Sequence, residues 1–565
     1  MKKIFLLVSV FVITLSALSA AVPFVESGVL ITVGDEIYAK MDALFILSGK
    51  SVPSTSRPWT VAEARNYLLI LDSNVPEKYM PLYDELYEYL FVEDRNTLSL
   101  TLSLSPEEYA HTNSSYNREE FWLWGYSRRS HFAKAALDNS THGIYGHFEL
   151  SLGRGMVESA DASSAVTIKE YVESMGKTWD GIGTMIRKDE GDKPLVVTTQ
   201  KAYTDYFSFN MTGLNDIDLN MPRHYYLDYA NTFMSVGMYK AQKTWGYNRS
   251  GNFIFDSHND YYHTLSMKTY SKSFNFEYTL MLPETYRGGS NYYLNDGEET
   301  RRVFAAHRIE FRLFDRINVV LSENTMYRFS DYFDFSTLNP AAFWHNNVNN
   351  VQFNSLAHVE FEWSIIPSLL LYGSWVIDQG SMPGLEDRSK EDQAMGFSLG
   401  LEYDRVIRDG VARFSFEGIY TNPALYRPTG SSDFIINYNA VNEEDYYRYP
   451  FFTYIGYKYG GDTISLRFDA DYRKNSLHLY SYFELRFDGE FTLYDQYYAP
   501  LLKTAPSGDY ETVFTFNLGG DYTLTLFKAS PVKALIDVTL INSSKRGFDA
   551  QFTLGASISY SLKTN

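Results

Sequence analysis

Residues 477–493 read LHLYSYFELRFDGEFTL and alternate apolar and polar side chains along their length. A period of two predicts a β-strand, because successive side chains of a strand point to opposite faces. Phe483 and Leu485 lie on one face, whereas Glu484 and Arg486 lie on the other. Strands of soluble sheets average about five or six residues. A strand of this length is typical of tilted strands that cross a membrane.

The same alternation recurs along the chain from about residue 96. It is clearest in the last strand, where Phe552, Leu554, Ile558 and Tyr560 share one face and small polar residues share the other. We therefore expect these four side chains to face lipid.

Charges of both signs lie on the polar faces of these strands. Arg467 and Asp469 alternate with apolar residues, as Glu484 and Arg486 do on the next strand, and a short turn near 474–476 joins the two. The strands of a soluble β-sandwich also alternate apolar and polar residues. This fold remains the alternative, but its strands are shorter. We predict an all-β transmembrane fold, an antiparallel outer-membrane β-barrel whose charged faces line the lumen.

Turn lengths predict how many strands the barrel has. Short turns and long loops lie at opposite ends of outer-membrane barrels, with the short turns in the periplasm. The predicted short turns are 315–316, 367–368, 407–410, 474–476 and 528–531, and the longer connections are 286–300, 326–354, 379–392 and 495–510. If 432–439 and 449–460 are both strands, about 16 strands follow Phe233 and at least two precede it. The prediction is about 18 strands, with 16–20 allowed.

The first 95 residues differ from the rest. Lys2 and Lys3 precede an apolar run and then small residues, which predicts a signal peptide over residues 1–21. Residues 22–95 have helical periodicity, so we expect an N-terminal periplasmic helical bundle there and the barrel over 96–565.

Three helices are predicted in this N-terminal region. One covers Glu36–Leu47. The second begins at a capping box formed by Thr60 and Glu63, and the third has Pro81 in its first turn.

Composition excludes several classes of function. The chain has 565 residues, a net charge of −19, no cysteine and a mean hydropathy of −0.28. A polytopic helical membrane protein is excluded, because it would need repeated apolar runs of about 20 residues. The negative net charge argues against a nucleic-acid partner. Without cysteine there is no disulfide and no thiolate metal site.

No catalytic motif is found in the sequence, so we expect no enzyme and no cofactor. Asp256, His258 and Asp260 alternate on a strand-like segment. Three residues of one strand rarely converge on a metal, so we interpret them as a polar lumen or loop face.

Two predicted outer loops are rich in rings and amides. Their candidate residues are Phe343, Trp344, Asn346 and Asn347 in 326–354, and Tyr292 and Tyr293 in 286–299. Aromatic faces and amide groups suit the apolar face and hydroxyl edge of a sugar. The same rings could form the interfacial girdle and pack the loop inward as a lid, and composition leaves both open.

Several segments, in order from about 35 to 380, resemble the capsule assembly Wzi family of outer-membrane proteins. They are Tyr38–Leu68 with Arg57–Pro58 before a helix; QKTWGYNRSGNFIFDSHN at 242–259, with Gln242, Trp245, Gly246, Gly251, Ser257 and Asn259; His307–Glu310 followed by Ser322–Glu323; and Leu338–Asn339–Pro340 with Phe343, followed by 354–356 and 371–378. The segments around Trp245 lack the family's second Trp, and His258 replaces an Asn.

This resemblance implies a barrel of about eighteen strands with a helical bundle. It also implies a lectin-like, non-enzymatic role in holding capsular polysaccharide at the cell surface, with other polysaccharide-export components as further partners. We expect Trp245 to contact polysaccharide, in addition to the loop residues named above. We also expect the protein to be a monomer surrounded by outer-membrane lipid. The alternative function is a porin-like channel for small solutes. A lumen closed by loops would favour binding over transport.

Overall fold

The computed structural model describes most of the predicted barrel and helical region. The described residues are 27–71, 75–91, 97–113, 130–153, 207–210, 222–283, 301–329, 339–340, 353–379, 394–426, 434–441, 448–491, 504–527 and 530–564. The predicted signal peptide, 1–21, lies outside them.

The elements run in chain order from short strands and helices into long strands. They are β1 (Leu30–Ile31), α1 (Glu36–Leu47), β2 (Ser56–Arg57), β3 (Trp59–Thr60), α2 (Val61–Leu71), a 3₁₀ turn (Glu77–Tyr79), α3 (Met80–Leu90), β4 (Thr97–Leu104), β5 (Glu107–His111), β6 (Ala133–Thr141), β7 (Ile144–Leu152), β8 (Phe207–Phe209), β9 (His224–Ala230), β10 (Met234–Ala241), β11 (Thr244–Trp245), β12 (Tyr262–Tyr270), β13 (Phe274–Met281), β14 (Arg301–Leu313), β15 (Ile317–Phe329), β16 (Phe353–Ile366), β17 (Leu369–Gln379), β18 (Ala394–Ile407), β19 (Gly410–Thr421), β20 (Ile435–Val441), β21 (Arg448–Tyr454), β22 (Thr463–Lys474), β23 (Leu477–Asp488), β24 (Glu511–Phe527), β25 (Ser530–Ser543) and β26 (Gly547–Thr564).

An antiparallel barrel closes where the last strand meets the first. The wall consists of β4–β10, β12–β19 and β22–β26. β26 pairs with both β4 and β5, which form one line interrupted at Ser105 and Pro106. β6 and β8 pair with the other side of that line, so they share one position as well. The described strands therefore occupy 18 positions, and the predicted fold class is confirmed.

Short turns gather at one end of the barrel, which we call the short-turn mouth; the opposite end is the long-loop mouth. Phe314–Asp315 and Arg408–Asp409 have positive φ angles at both positions, between 49° and 64°. Such pairs match the twist of the flanking strands in two-residue hairpins. The five short turns predicted from the sequence all join consecutive wall strands.

The predicted count of about 18 strands is confirmed, although two of the predicted wall strands lie elsewhere. β20 and β21, near the predicted strands 432–439 and 449–460, pair only with each other, and β19 pairs directly with β22. Four wall positions precede β10, which agrees with the predicted minimum of two and brings the total to 18. The segment 477–493 is also a shorter strand than expected, because β23 ends at Asp488 and the Gly489 N–H donates to Asp462 instead.

The wall has an apolar outer face and a polar inner face. Phe552, Leu554 and Tyr560 point outward with exposed fractions of 46%, 61% and 47%, as predicted for lipid contact. On the inner face, Glu402 and Glu417 are completely buried. This arrangement is that of a membrane-spanning barrel.

The N-terminal helices cover the short-turn mouth. Trp59 lies at the centre of their core, with ring centroids 4.7 Å from Tyr38 and 5.1 Å from Tyr67. The Ile46 carbonyl accepts a hydrogen bond of 2.8 Å from the Ser368 N–H in a short turn. Within the described residues, no helix is long and apolar enough to cross a membrane.

Leu554→Arg should lower the free energy of unfolding in vesicles by about 2–4 kcal/mol, because Leu554 lies near the middle of β26 on the lipid face. Leu562→Arg, near the end of the same strand, is the control and should cost about 0–1 kcal/mol. Urea titration of heat-modifiable gel mobility measures both. Equal costs would contradict the lipid-facing assignment.

Glu63 in α2 should make the helical region less stable as the pH rises. Burial raises the pKa of Glu63 from 4.5 to about 7, although Lys268 lies 3.6 Å away. Between these values the folded state holds a proton that the unfolded state releases, so stability falls from pH 4.5 to pH 7. Hydrogen exchange of α2 amides, measured at pH 5 and pH 7.5, should show this loss. It should disappear in Glu63→Gln, and persistence in that variant would contradict the assignment.

Candidate functional site

Three chain segments fill much of the lumen, and together we call them the plug. They are residues 48–60, 242–261 and the described part of 422–462. The first follows α1 at the short-turn mouth, whereas the other two are connections at the long-loop mouth.

Hydroxyl groups attach the N-terminal segment of the plug to the wall. Ser54 Oγ donates to Glu310 at 2.8 Å, and Thr55 Oγ1 donates to Glu360 at 2.7 Å. Ser56 Oγ donates to Glu277. Three consecutive residues thus supply donors to carboxylates on three different wall strands, which satisfies acids that are costly to bury alone.

Trp245 joins the two ends of the plug. Its backbone pairs with Ser56 through β11 and β2. The indole is completely buried, with a ring centroid 5.1 Å from Phe255 and the Arg308 guanidinium 5.8 Å from its ring. This candidate polysaccharide contact therefore lies in the interior of the plug.

A buried ammonium lies beside this indole. Lys243 Nζ is 5.5 Å from the Trp245 ring and donates to Glu277. Burial lowers the pKa of Lys243 from 10.5 to about 8, and the nearby Lys268 charge lowers it further, whereas Glu277 opposes the change. The ion pair remains mostly charged at neutral pH.

Arg249 and Ser250 anchor the outer segment of the plug. Arg249 Nε donates to Glu402 at 3.0 Å, and its backbone N–H donates to Glu417 at 2.8 Å. The Ser250 N–H also donates to Glu417, at 2.9 Å, and its hydroxyl adds another hydrogen bond. Arg413 reaches Glu402 at 3.0 Å from the other side. The charge of Glu402 is thereby balanced by two arginines, and Glu417 accepts three hydrogen bonds from Arg249 and Ser250.

The 422–462 connection packs over the 242–261 segment. Tyr426 Oη donates to the Phe253 carbonyl at 2.7 Å, and Asn259 Nδ2 donates to the Tyr454 carbonyl at 3.1 Å. Their apolar side chains form one cluster with inward-facing residues of the wall, which include Phe304, Met326, Leu356 and Val376. The plug thus has a hydrophobic core of its own against β14–β17.

The interpretation of 256–260 as strand-like was wrong, because this segment is a turn inside the plug. His258 Nδ1 lies 2.8 Å from Asp256, and its Nε2 lies 3.0 Å from Thr453 Oγ1. Both ring nitrogens are therefore engaged in hydrogen bonds. Asp260 pairs instead with Arg223.

The plug leaves a cavity of about 640 Å³ on the other side of the lumen. Inward-facing residues of β22–β26 and β5 form most of its lining, with Arg249 and Tyr459 from the plug and Ala39 from α1. Cavities of this volume hold small ligands. We refer to it as the lumenal cavity.

Arginines stacked on tyrosines form one side of the lumenal cavity. Arg467 lies 3.9 Å over the Tyr482 ring and donates to Asp469 at 2.7 Å. Arg486 lies 3.6 Å over the Tyr459 ring. These contacts fix the guanidinium planes and confirm the prediction that Arg467, Asp469, Glu484 and Arg486 face inward.

An amide and carboxylate network lies beside this group, on β23, β24 and β25. Tyr480 Oη donates to Asp537 at 2.9 Å, and Asn517 Nδ2 donates to the same carboxylate at 2.9 Å and 3.0 Å. Asn517 Oδ1 and Ser415 Oγ are buried without a hydrogen-bond partner among the described residues. Two residues of the cavity lining thus have a buried side-chain oxygen without a protein partner in the described ranges.

The other predicted contacts, Tyr292, Tyr293, Phe343, Trp344, Asn346 and Asn347, lie outside the described residues. The sequence analysis missed Tyr480 and Tyr482 as cavity residues. Extending the alternation of Glu484 and Arg486 by two more steps toward the N-terminal end of β23 would have placed both inside.

Comparison with solved structures finds the same architecture. Wzi, an outer-membrane protein involved in group 1 capsule assembly in Escherichia coli and a carbohydrate-binding β-barrel, matches with a TM-score of 0.55 at 10% identity, covering 94% of this chain and 99% of Wzi. Pseudomonas aeruginosa OccK3 (OpdO) matches with a TM-score of 0.38 at 9% identity, covering 83% of this chain and 96% of its own. Pseudomonas aeruginosa OprD matches with a TM-score of 0.36 at 9% identity, with the same coverage values.

No family model and no curated protein matches the sequence. The resemblance to Wzi found in the sequence is confirmed at the level of the fold, which is that of an outer-membrane barrel.

Replacing both anchoring side chains, in Arg249→Ala/Ser250→Ala, should loosen the plug. The change leaves Glu402 with Arg413 as its remaining cation and removes the hydroxyl donor to Glu417. Loss of such buried pairs costs on the order of 3 kcal/mol. We expect a higher and noisier conductance in planar bilayers than for the unchanged protein. Arg408→Ala, in an exposed short turn, is the control, and unchanged conductance in the double variant would contradict the anchoring role.

Proposed function

We propose that this barrel binds capsular or related surface polysaccharide at the outer membrane and organises it there as a non-enzymatic, lectin-like protein. It acts as a monomer in outer-membrane lipid, together with other polysaccharide-export components. The long-loop mouth faces the cell exterior, and the helical region faces the periplasm.

The plug is the observation that carries this proposal. Segments from both mouths meet at the pairing of Ser56 with Trp245, and wall carboxylates hold them in place. A channel for solutes needs a water-filled path. Here buried ion pairs and an apolar cluster occupy the β12–β19 side of the lumen, so outer surfaces rather than a wide pore are available for contact.

The fold supports the same function, because Wzi is described as a carbohydrate-binding barrel. We retain Phe343, Trp344, Asn346, Asn347, Tyr292 and Tyr293 as the proposed outer contacts. Ring stacking and hydrogen bonds each contribute on the order of 1 kcal/mol, so useful affinity requires several sugars at once. A long polymer meets that requirement.

A porin-like channel is the second candidate, and the lumenal cavity is the observation that favours it. On β23 the lining extends from His478 to Arg486, roughly 27 Å of strand at about 3.4 Å per residue. A cavity of that extent could connect the two mouths. Conductance separates the candidates, because a binding protein should conduct ions weakly and a porin strongly.

Phe343→Ala/Trp344→Ala should release polysaccharide from cells while leaving the barrel folded and inserted, because it removes the proposed stacking surfaces. The measurement is cell-bound against released polysaccharide, with heat-modifiable mobility as the folding check. Phe314→Ala is the matched control, since this ring is 89% exposed at the opposite mouth. Normal retention together with changed conductance in the double variant would replace the proposal with the porin function.

A further inference from the structure

We infer that the lumenal cavity is a second sugar site, which takes a short, uncharged oligosaccharide segment. This inference rests on the proposed function and extends it from the outer loops to the interior of the barrel. The observations behind it are unpartnered polar atoms, balanced charge and fixed aromatic groups in one cavity.

Unpartnered polar atoms in the cavity lining are the first of these observations. Asn517 is 3% exposed and Ser415 is 2% exposed, yet Asn517 Oδ1 and Ser415 Oγ have no protein partner in the described part of the chain. The Asn517 amide nitrogen is bound to Asp537 and Thr539, and the residue belongs to the cavity lining. Hydroxyl groups are donors that would satisfy such an acceptor.

The balance of charge indicates which class of ligand fits. Each arginine of β22 and β23 is paired with an aspartate on its own strand, as Arg467–Asp469 at 2.7 Å, Arg473–Asp471 at 3.1 Å and Arg486–Asp488 at 2.7 Å. Paired guanidinium and carboxylate groups offer donors and acceptors in fixed planes but little surplus charge. They therefore favour a ligand with many hydroxyls over an anion.

The size and aromatic content agree with this class. The volume of about 640 Å³ lies in the usual range for ligand sites. Tyr480 and Tyr482 contribute rings along one strand, and both also bring a polar hydroxyl. Rings of this kind can contact the apolar face of a sugar while polar neighbours contact its edge.

The test uses the full-length protein in detergent and isothermal titration with four neutral trisaccharides, namely cellotriose, maltotriose, laminaritriose and mannotriose. Trigalacturonate serves as an anionic ligand of equal length. At least one neutral trisaccharide should bind, and more tightly than trigalacturonate. Asn517→Ala should weaken that binding about five- to tenfold, which corresponds to loss of one hydrogen bond.

Asn324→Ala provides a matched control. Asn324 is also a fully buried asparagine with an unpartnered Oδ1, but it lies on β15, outside the cavity lining. Its replacement should leave the affinity unchanged, and heat-modifiable mobility should show both variants folded. Equal weakening by the two replacements would overturn the location of the site.

Other outcomes also decide the inference. The inference is overturned if none of the four neutral trisaccharides binds at about 10 mM, a concentration on the order of the weakest useful dissociation constants. It is also overturned if trigalacturonate binds more tightly than they do. Polysaccharide retention on cells is measured separately. If retention depends on Phe343 and Trp344 while the neutral sugars do not bind, the cavity site fails and the proposed function stands. If retention depends on neither ring, the proposed function itself fails.

Discussion

Buried carboxylates on the inner wall are the constraint on which the rest of this structure depends. Closing the sheet satisfies the backbone within the membrane, but it also directs acids such as Glu277, Glu310 and Glu360 into an enclosed space. An unpaired buried charge is costly. The chain meets this demand with donors from segments that enter through both mouths, so the plug is required by the wall's own chemistry and is more than a loop lying in an open channel.

The plug divides the lumen into two unlike halves. Against β12–β19 it forms a dense core of rings and ion pairs, anchored at Glu402 and Glu417. Against β22–β26 several wall charges pair among themselves, as Arg467 does with Asp469, and the plug contributes the Tyr459 hydroxyl, which donates to Glu484 at 3.0 Å. Because the arginines on that side find aspartate partners on their own strands, fewer plug residues are needed there, and the lumenal cavity occupies the remaining space.

The sequence predicts the wall well, because alternation is a local property that each strand carries by itself. Leu554 and Arg467 could be placed on the correct faces from their own neighbours. The hairpin β20–β21 could not be distinguished from wall strands, since it also alternates and only its pairing partner differs. The plug could not be predicted from local sequence patterns either. Nothing local to Ser54 or Arg249 indicates that their partners lie on distant strands, so the cavity formed between plug and wall was not predictable either.

The seam between β26 and β4 has a consequence for how the molecule is made. Thr101 and Ser561 lie side by side across it, separated by 460 positions in the chain. Bringing such distant strands together carries a large loop-closure entropy and makes formation slow. Until the final strand arrives, the sheet has two unpaired edges, and exposed edges invite association with other chains. The nascent chain is therefore open to such association until β26 is complete, and a truncation that removes β26 would eliminate the strand pairs that close the barrel.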